Sequence, residues 1–375
     1  MKQKLLFLVT EDWYFVSHRL SLACAAKEAG YDVVIVTQVT DHGDVITNSG
    51  LKLEPLKFSR SHGKPWQDLM TVISIFRIYK KHKPDFVHHV AIKPVIYGSV
   101  AALFARVPVV INALTGLGFV FSSAQIKAKF LRSLIKPLLK ILLSRRNTWL
   151  IIQNPDDQRT LKEAGIITGK QVAMIRGSGV DSTKFRPFDH SSADIPVVLL
   201  ASRMLWDKGV GEFVEAARLI KSSGRDVRFV LVGDSDPENP ACISQQELSE
   251  WQASGIVEWW GRRDNMSEIL ANSTLVCLPS YREGLPKVLI EAAACGKAIV
   301  ATDAPGCREI VQHGVNGFLV PVKDASALAE AIEKLLRDDS LREKMGKKGR
   351  DIVEQEFTIE KVTSETLTLY QRALS

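Results

Sequence analysis

Short apolar runs rich in Val and Ile recur along the chain, and longer stretches with apolar residues at helical spacing separate them. That pattern predicts parallel strands joined by helices. In the first half the runs fall at Leu5–Val9, Val33–Thr37, Phe86–Ala91, Val109–Ala113, Thr148–Ile152 and Val172–Ile175. In the second half they fall at Val197–Ala201, Arg228–Val232, Ile256–Trp260, Leu275–Leu278, Ala298–Ala301 and Phe318–Val320. The predicted class is α/β, with two Rossmann-like doubly wound domains facing across a cleft, and ligands of such sheets bind at the carboxyl ends of the strands. The polar segment from Arg186 to Pro196, bracketed by prolines, reads as a linker. The expected division is therefore 1–186 and 187–357, with 358–375 forming a helix that returns to the first domain.

Composition narrows the classes. A chain of 375 residues exceeds what one core usually supports, and 46% hydrophobic with 24% charged residues is ordinary for a soluble protein. The five cysteines are scattered without a Cys-x-x-Cys pair, which argues against a disulfide framework or structural zinc. Thr10, Glu11 and Asp12 end the opening apolar run too early for a signal peptide, and Lys93 and Arg106 interrupt the best candidate for a membrane span. A cytoplasmic location is expected. Net charge is +7, and no Asp or Glu occurs from Phe86 to Pro155, so one face of the first half should carry a positive field.

A nicotinamide cofactor is the first ligand to test for doubly wound sheets. Neither Thr10–Phe15 after the first strand nor Gly233–Ser235 after Val232 supplies the Gly-x-Gly-x-x-Gly turn, which argues against an oxidoreductase. The segment Ser280–Gly296 is more informative. A strand ending near Leu278 meets a turn, and Pro286 suits the first turn of a helix because its missing N–H is not needed there. The amides of Lys287, Val288 and Leu289 would then face an anion such as a diphosphate. Glu283 precedes this helix and Glu291 lies inside it, each placed to grip a diol. A turn residue and a locally paired helix residue would explain the two glutamates equally well.

Glu283 and Glu291, with seven residues between them in Glu-Gly-Leu-Pro-Lys-Val-Leu-Ile-Glu-Ala, resemble the signature of retaining glycosyltransferase family 4, which has the GT-B fold. The resemblance spans the chain through Gly179-Val180-Asp181, Phe185-Arg186-Pro187, Ser202-Arg203-Met204-Leu205-Trp206-Asp207-Lys208-Gly209, Gly306-Cys307-Arg308-Glu309 and Gly314-Val315-Asn316-Gly317. Narrower motifs resemble bacterial transferases that extend undecaprenyl-diphosphate-linked saccharides with N-acetylhexosamines, for polysaccharide or glycoprotein glycans. These are Ser17-His18-Arg19-Leu20, Phe58-Ser59-Arg60-Ser61, Ala113-Leu114-Thr115-Gly116-Leu117-Gly118, and Asp236 to Ala241.

The resemblance implies a UDP-sugar donor, a polyprenyl-diphosphate-linked saccharide acceptor and retention of configuration. It implies that Glu283 binds the donor sugar, that Glu291 holds the ribose, and that Arg203 and Lys208 clamp the diphosphate. Gly284, Leu285, Pro286, Lys287, Val288, Leu289 and Arg262 complete the expected donor set. Many members carry a paired glycine loop after the first strand, where this chain has Trp13 to Arg19. Arg19, His18, Lys93, Thr115 and Gly116 are the phosphate or acceptor candidates of the first domain. No metal or other cofactor is expected, because the cations and the helix end can neutralise the diphosphate; Asp234-Ser235-Asp236 reads as a turn. A UDP-sugar 2-epimerase of the same fold and a non-catalytic nucleotide-sugar-binding protein are the competing readings.

Gln125 to Trp149 carries seven basic residues and no acid, with Lys129, Arg132, Lys136 and Lys140 on one side of a helical wheel and most leucines opposite. Pro137 is expected to kink or split it. A surface helix drawn to anionic lipid suits a lipid-linked acceptor and a peripheral place on the inner membrane face. A core helix with a solvated basic face is the alternative. Nucleic acid is not an expected partner, since no binding module accompanies the charge.

Overall fold

The computed structural model describes residues 2–58, 65–117, 126–167, 171–188 and 195–375, with the backbone alone at 65 and 126–134. The motif residues Ser59, Arg60, Ser61 and Gly118, linker residues 189–194, and the side chains of Lys129 and Arg132 lie outside the described residues.

The chain divides into two compact units, Met1–Ser178 with Ile359–Ser375, and Gly179–Thr358. The first is built on β1 (Lys4–Glu11), β2 (Asp32–Gln38), β3 (Lys52–Pro55), β4 (Phe86–Val90), β5 (Val109–Leu114), β6 (Thr148–Ile152) and β7 (Val172–Met174). They form a parallel sheet in the order β3-β2-β1-β4-β5-β6-β7. The second unit has β8 (Val197–Ala201), β9 (Arg228–Val232), β10 (Glu258–Trp259), β11 (Leu275–Leu278), β12 (Ala298–Thr302) and β13 (Gly317–Val320), parallel in the order β10-β9-β8-β11-β12-β13. Each sheet is the doubly wound, Rossmann-like arrangement of the GT-B class. Strand order reverses at β1/β4 and at β8/β11, and beyond the carboxyl ends of such strands the backbone opens a ligand crevice.

Both faces of each sheet are buried, which is why the strands are continuous apolar runs and do not alternate with polar residues. In the first unit Leu5, Phe7 and Phe86 pack with Leu22, Val362, Leu369 and Tyr370, whereas Leu6, Leu8 and Val87 pack with Ile75, Tyr79 and Ala101. In the second, Val198, Leu200 and Phe229 meet Phe213, Ala217 and Ile332, while Leu199, Val230 and Val276 meet Leu289, Ile290 and Ala293. The tail helix Ile359–Leu374 thus packs in the first unit.

Three expectations need correction. The division falls before Gly179 and not after Arg186, because Val180 donates to the Phe357 carbonyl at 2.9 Å and Phe185 enters the second unit's core. β3 was not expected: Lys-Leu-Glu-Pro is a short, partly exposed edge strand, where a proline is tolerated. Finally, Pro137 does not split the basic segment, which runs as one α-helix, Ile126–Leu143. In its described half Leu139, Leu142 and Leu143 are buried, Leu139 and Leu143 packing with Leu150 and Ile152 of β6, while Lys136, Lys140 and Ile141 are exposed. Each buried leucine contributes about 1.5–3 kcal/mol, so Leu139, Leu142 and Leu143 are held by the protein's core.

Candidate active site

The chemistry-bearing residues of the second unit gather where β8 and β11 end. After β8 the chain passes Arg203 and makes a short 3-10 turn at Trp206–Lys208 that stops on Gly209, at φ 71°. Gly209 packs against the next strand's exit so closely that a Cβ would lie 2.1 Å from the Pro279 carbonyl oxygen. The two segments are tied further by Tyr281 N–H and Ser280 Oγ, which donate to the Asp207 carbonyl at 2.9 and 3.2 Å. This approach delivers Lys208 to Glu283: Nζ lies 2.6 Å from Oε1, with the side chains only 17% and 13% exposed. Glu283 is fixed from behind as well, its N–H donating to the Pro305 carbonyl at 3.1 Å. Gly306, at φ 80°, lets the chain pass beneath, since a Cβ there would lie 2.7 Å from the Gly284 carbonyl oxygen.

The following helix is Lys287–Ala294, with Pro286 at the cap position one residue before it and no side chain capping that end. Pro286 thus precedes the first turn where the sequence placed it inside. Leu289 N–H donates to the Pro286 carbonyl at 3.1 Å, leaving the amides of Lys287 and Val288 as the helix-end donors in place of the expected three. Glu291 is buried and accepts a hydrogen bond from Lys287 Nζ, one turn before it, while the same ammonium lies 5.7 Å from the centre of the Phe185 ring. The local pairing that the sequence left open for Glu291 is present, and it holds the carboxylate near the helix end.

Arg203 is half-exposed and pairs with Asp236, Nη1 to Oδ2 at 2.8 Å. Arg262 is placed by its backbone, its N–H donating to Asp234 Oδ1 at 3.0 Å, and its exposed guanidinium lies 3.6 Å from Asp264. Leu285 is packed against the core below Gly284. Among the described residues, no group of three or more His, Cys, Asp and Glu is placed to hold a metal ion.

The first unit's candidates follow three neighbouring strands, β1, β4 and β5. Arg19, expected near an open strand end, is only 4% exposed, wedged between helices Asp12–His18 and Leu20–Glu28, with Nη1 3.5 Å from the Gly177 carbonyl. The His18 ring stacks on Tyr14 at 4.2 Å. Lys93 lies in the first turn of helix Ile92–Ala105, and Thr115 and Gly116 follow β5 half-buried.

Sequence reasoning missed two buried polar networks there. Asp12 accepts from Thr40 N and Oγ1, both at 2.7 Å, from His42 N at 2.9 Å and from Trp13 N at 2.8 Å, clamping the end of β1 to the loop after β2. Burial raises the Asp12 pKa, but the Thr40 hydroxyl and the three amides outweigh it, and the net shift is downward. On β4, His89 Nδ1 meets Asn112 Oδ1 and Nε2 meets the Tyr79 hydroxyl, both at 2.8 Å. With Oδ1 accepting, Nδ1 carries the proton and Nε2 accepts from Tyr79, which is a neutral imidazole. Burial holds the His89 pKa down to about 4 despite the Asn112 hydrogen bond. The sequence signal for the second network was the polar residues His89 and Asn112 inside apolar strands; the first had none.

Two family models match the chain: Glycosyl transferases group 1 over residues 181–352 and Glycosyl transferase 4-like over residues 4–154. The chain is 30% identical over 369 residues, 95% of each protein, to the N,N'-diacetylbacillosaminyl-diphospho-undecaprenol alpha-1,3-N-acetylgalactosaminyltransferase of Campylobacter jejuni. It is 26% identical to the capsular polysaccharide biosynthesis glycosyltransferase CapM of Staphylococcus aureus, over 88% of this chain and 90% of that one. Among solved structures, Anabaena HepE in complex with UDP and glucose superposes with a TM-score of 0.78 at 19% identity, covering 98% of this chain and 99% of that one. Sucrose-phosphate synthase from Thermosynechococcus elongatus gives 0.81 at 22%, covering 99% of each. These two likenesses concern the fold.

Proposed function

The chain belongs to the retaining glycosyltransferase family whose group 1 and 4-like models match its two halves, and we propose that it moves an N-acetylhexosamine from a UDP-sugar to a polyprenyl-diphosphate-linked saccharide. The observation that carries the proposal is the Lys208–Glu283 pair at the β8 and β11 exits, beside a helix end with free amide donors. A sugar diphosphate has the matching chemistry: hydroxyls for a carboxylate and a leaving group whose charge grows as its bond breaks. The C. jejuni relative, named for an undecaprenol-linked acceptor and matching over 95% of both chains, supports the acceptor class.

In the proposed reaction Glu283 accepts hydrogen bonds from the donor sugar. Arg203, Lys208 and the amides of Lys287 and Val288 meet the diphosphate, and Glu291 accepts from the ribose hydroxyls. The bond from the anomeric carbon to the phosphate oxygen breaks, the acceptor hydroxyl oxygen bonds to that carbon from the same face, and its proton passes to the departing phosphate. Configuration is retained. No metal is required in this reading, because these cations and amides take up the charge that a divalent ion would otherwise neutralise.

No helix among the described residues is long and apolar enough to cross a membrane. We place the enzyme peripherally on an anionic bilayer, at the inner face of the membrane. The exposed Lys136 and Lys140 support a contact driven by charge, since Leu139 and Leu143 of that helix half are committed to the core.

The deciding experiment is turnover with a panel of UDP-sugars and polyprenyl-diphosphate saccharides, with and without EDTA, for the parent and for Glu283→Gln. UDP release that requires acceptor, survives EDTA and falls far more than UDP affinity in the variant is expected. Conversion of the donor without acceptor would instead identify an epimerase, and equal losses of turnover and UDP affinity would remove Glu283 from the sugar.

A further inference from the structure

Arg203, Lys208 and Lys287 are each paired with a carboxylate, and two of those carboxylates, Glu283 and Glu291, already have roles in the proposed reaction. The third, Asp236, has none. It sits in the loop between β9 and helix Gln245–Ala253, whose backbone is sewn to the segment that carries Arg203. Ser202 N–H donates to Val232 O at 3.0 Å, Met204 N–H to Asp234 O at 2.9 Å, Trp206 N–H to Ala241 O at 2.9 Å and Ile243 N–H to Met204 O at 3.0 Å. Leu205 and Cys242 form an antiparallel bridge between the same two stretches. The loop is also braced internally: Asn239 N–H donates to the Asp236 carbonyl at 2.8 Å, and Ala241 N–H to Asn239 Oδ1 at 3.0 Å. Pro237 and Pro240 stiffen it further. The Asp236 carboxylate therefore projects from a rigid support.

Arg203 is the reverse case, a long side chain that remains 52% exposed. Left alone it would sample many rotamers, and fixing it for a ligand would cost about 2 kcal/mol of side-chain entropy. Asp236 engages one terminal nitrogen at 2.8 Å. A guanidinium has five N–H groups in a planar fork, so the remaining ones stay available together for an anion.

We infer that Asp236 is a positioning residue: it holds Arg203 by one nitrogen so that the rest of the guanidinium is pre-oriented for the donor's diphosphate. This rests on the reading of Arg203 as a diphosphate ligand. The rival is an ordinary surface ion pair with no bearing on the ligand.

A double-mutant cycle on the full chain, read by UDP calorimetry, separates them. Asp236→Asn is expected to weaken UDP about two- to five-fold, the size of an exposed ion pair's contribution. In an Arg203→Ala background the same change should have no further effect, whereas a loop merely damaged by the substitution would weaken UDP in both. Asp236→Glu should recover part of the loss. Parental or tighter UDP binding by Asp236→Asn overturns the inference, tighter binding meaning that the carboxylate competes with the diphosphate. So does an undiminished loss in the Arg203→Ala background. If Arg203→Ala itself binds UDP like the parent, the diphosphate reading falls together with the inference; if it binds weakly while Asp236→Asn does not, only the inference falls.

Discussion

Replacing Lys208 with Met keeps the length of the side chain and deletes its charge, leaving Glu283 without its partner in a site where both side chains are less than one-fifth exposed. Removing one member of a fully buried pair costs about 3–5 kcal/mol, because the remaining charge stays desolvated. Residual solvent access at 17% and 13% exposure reduces this to about 2–3 kcal/mol. For a unit of this size each kcal/mol moves the midpoint by about 2–4 °C, so the second unit should melt about 5–10 °C lower by calorimetry. Deleting both charges in Lys208→Met/Glu283→Gln should return most of that stability, to within about 1 kcal/mol of the parent, because no charge is left stranded. Turnover should not return, since both groups are needed for the reaction. If Lys208→Met melts with the parent, or if the double variant loses the sum of the two single losses, the pair is not a desolvated unit and the description of the site is wrong.

Glu291→Ala should weaken UDP by at least about ten-fold in calorimetry through loss of charge-assisted bonds to the ribose; an unchanged affinity would detach Glu291 from the nucleotide. Gly209→Ala should lower the second unit's melting point and turnover together, since it adds about 1–2 kcal/mol of left-handed backbone strain to a Cβ 2.1 Å from the Pro279 oxygen; retention of both would contradict that packing. His89 should make the first unit acid-sensitive: its native pKa of about 4 lies below the unfolded value near 6.5, so its contribution is complete above 6.5 and is lost as pH falls toward 4. The melting point should fall less steeply over that window in His89→Gln, and equal slopes would refute the assignment. Lys136→Gln/Lys140→Gln should reduce binding to anionic vesicles, at about 1 kcal/mol per charge, without altering UDP affinity; undiminished vesicle binding would end the membrane proposal for this face.

The strands were legible because parallel sheets covered on both faces need uninterrupted apolar runs, and β3 was not, because Lys52–Pro55 is an edge with little to bury. Glu283, Glu291, Arg203 and Lys208 were picked out together only through the family resemblance, because their residue types and spacing alone left ordinary structural explanations open; the structure brings Lys208 to Glu283. Lys287 and Glu291 could even be paired from their four-residue spacing. The partners of the other two cations could not, because Lys208 reaches Glu283 across 75 positions and Arg203 reaches Asp236 across 33. Those pairings depend on which strands lie side by side, and periodicity does not encode strand order. The basic helix was left with two readings for a related reason. Its amphipathic pattern says that one side is buried without naming the burying surface, and Leu139 and Leu143 find that surface on β6.

The pairing has a consequence for how the proposed reaction would be controlled. Each cation of these three pairs is neutralised by its carboxylate, so the pairs alone offer a diphosphate little net positive charge. The helix-end amides of Lys287 and Val288 add attraction that no carboxylate offsets, and the cations contribute by being shared once the ligand arrives. Lys208 is the point of sharing with the largest effect. A donor sugar that engages Glu283 draws on the same carboxylate that holds the Lys208 ammonium, which shifts that ammonium's interaction toward the phosphate. Sugar recognition and leaving-group stabilisation would then be coupled through one hydrogen bond of 2.6 Å. UDP alone, lacking the sugar, would leave Lys208 on Glu283. Lys208→Met should therefore weaken an intact UDP-sugar more than it weakens UDP, and equal losses for the two ligands would break the coupling.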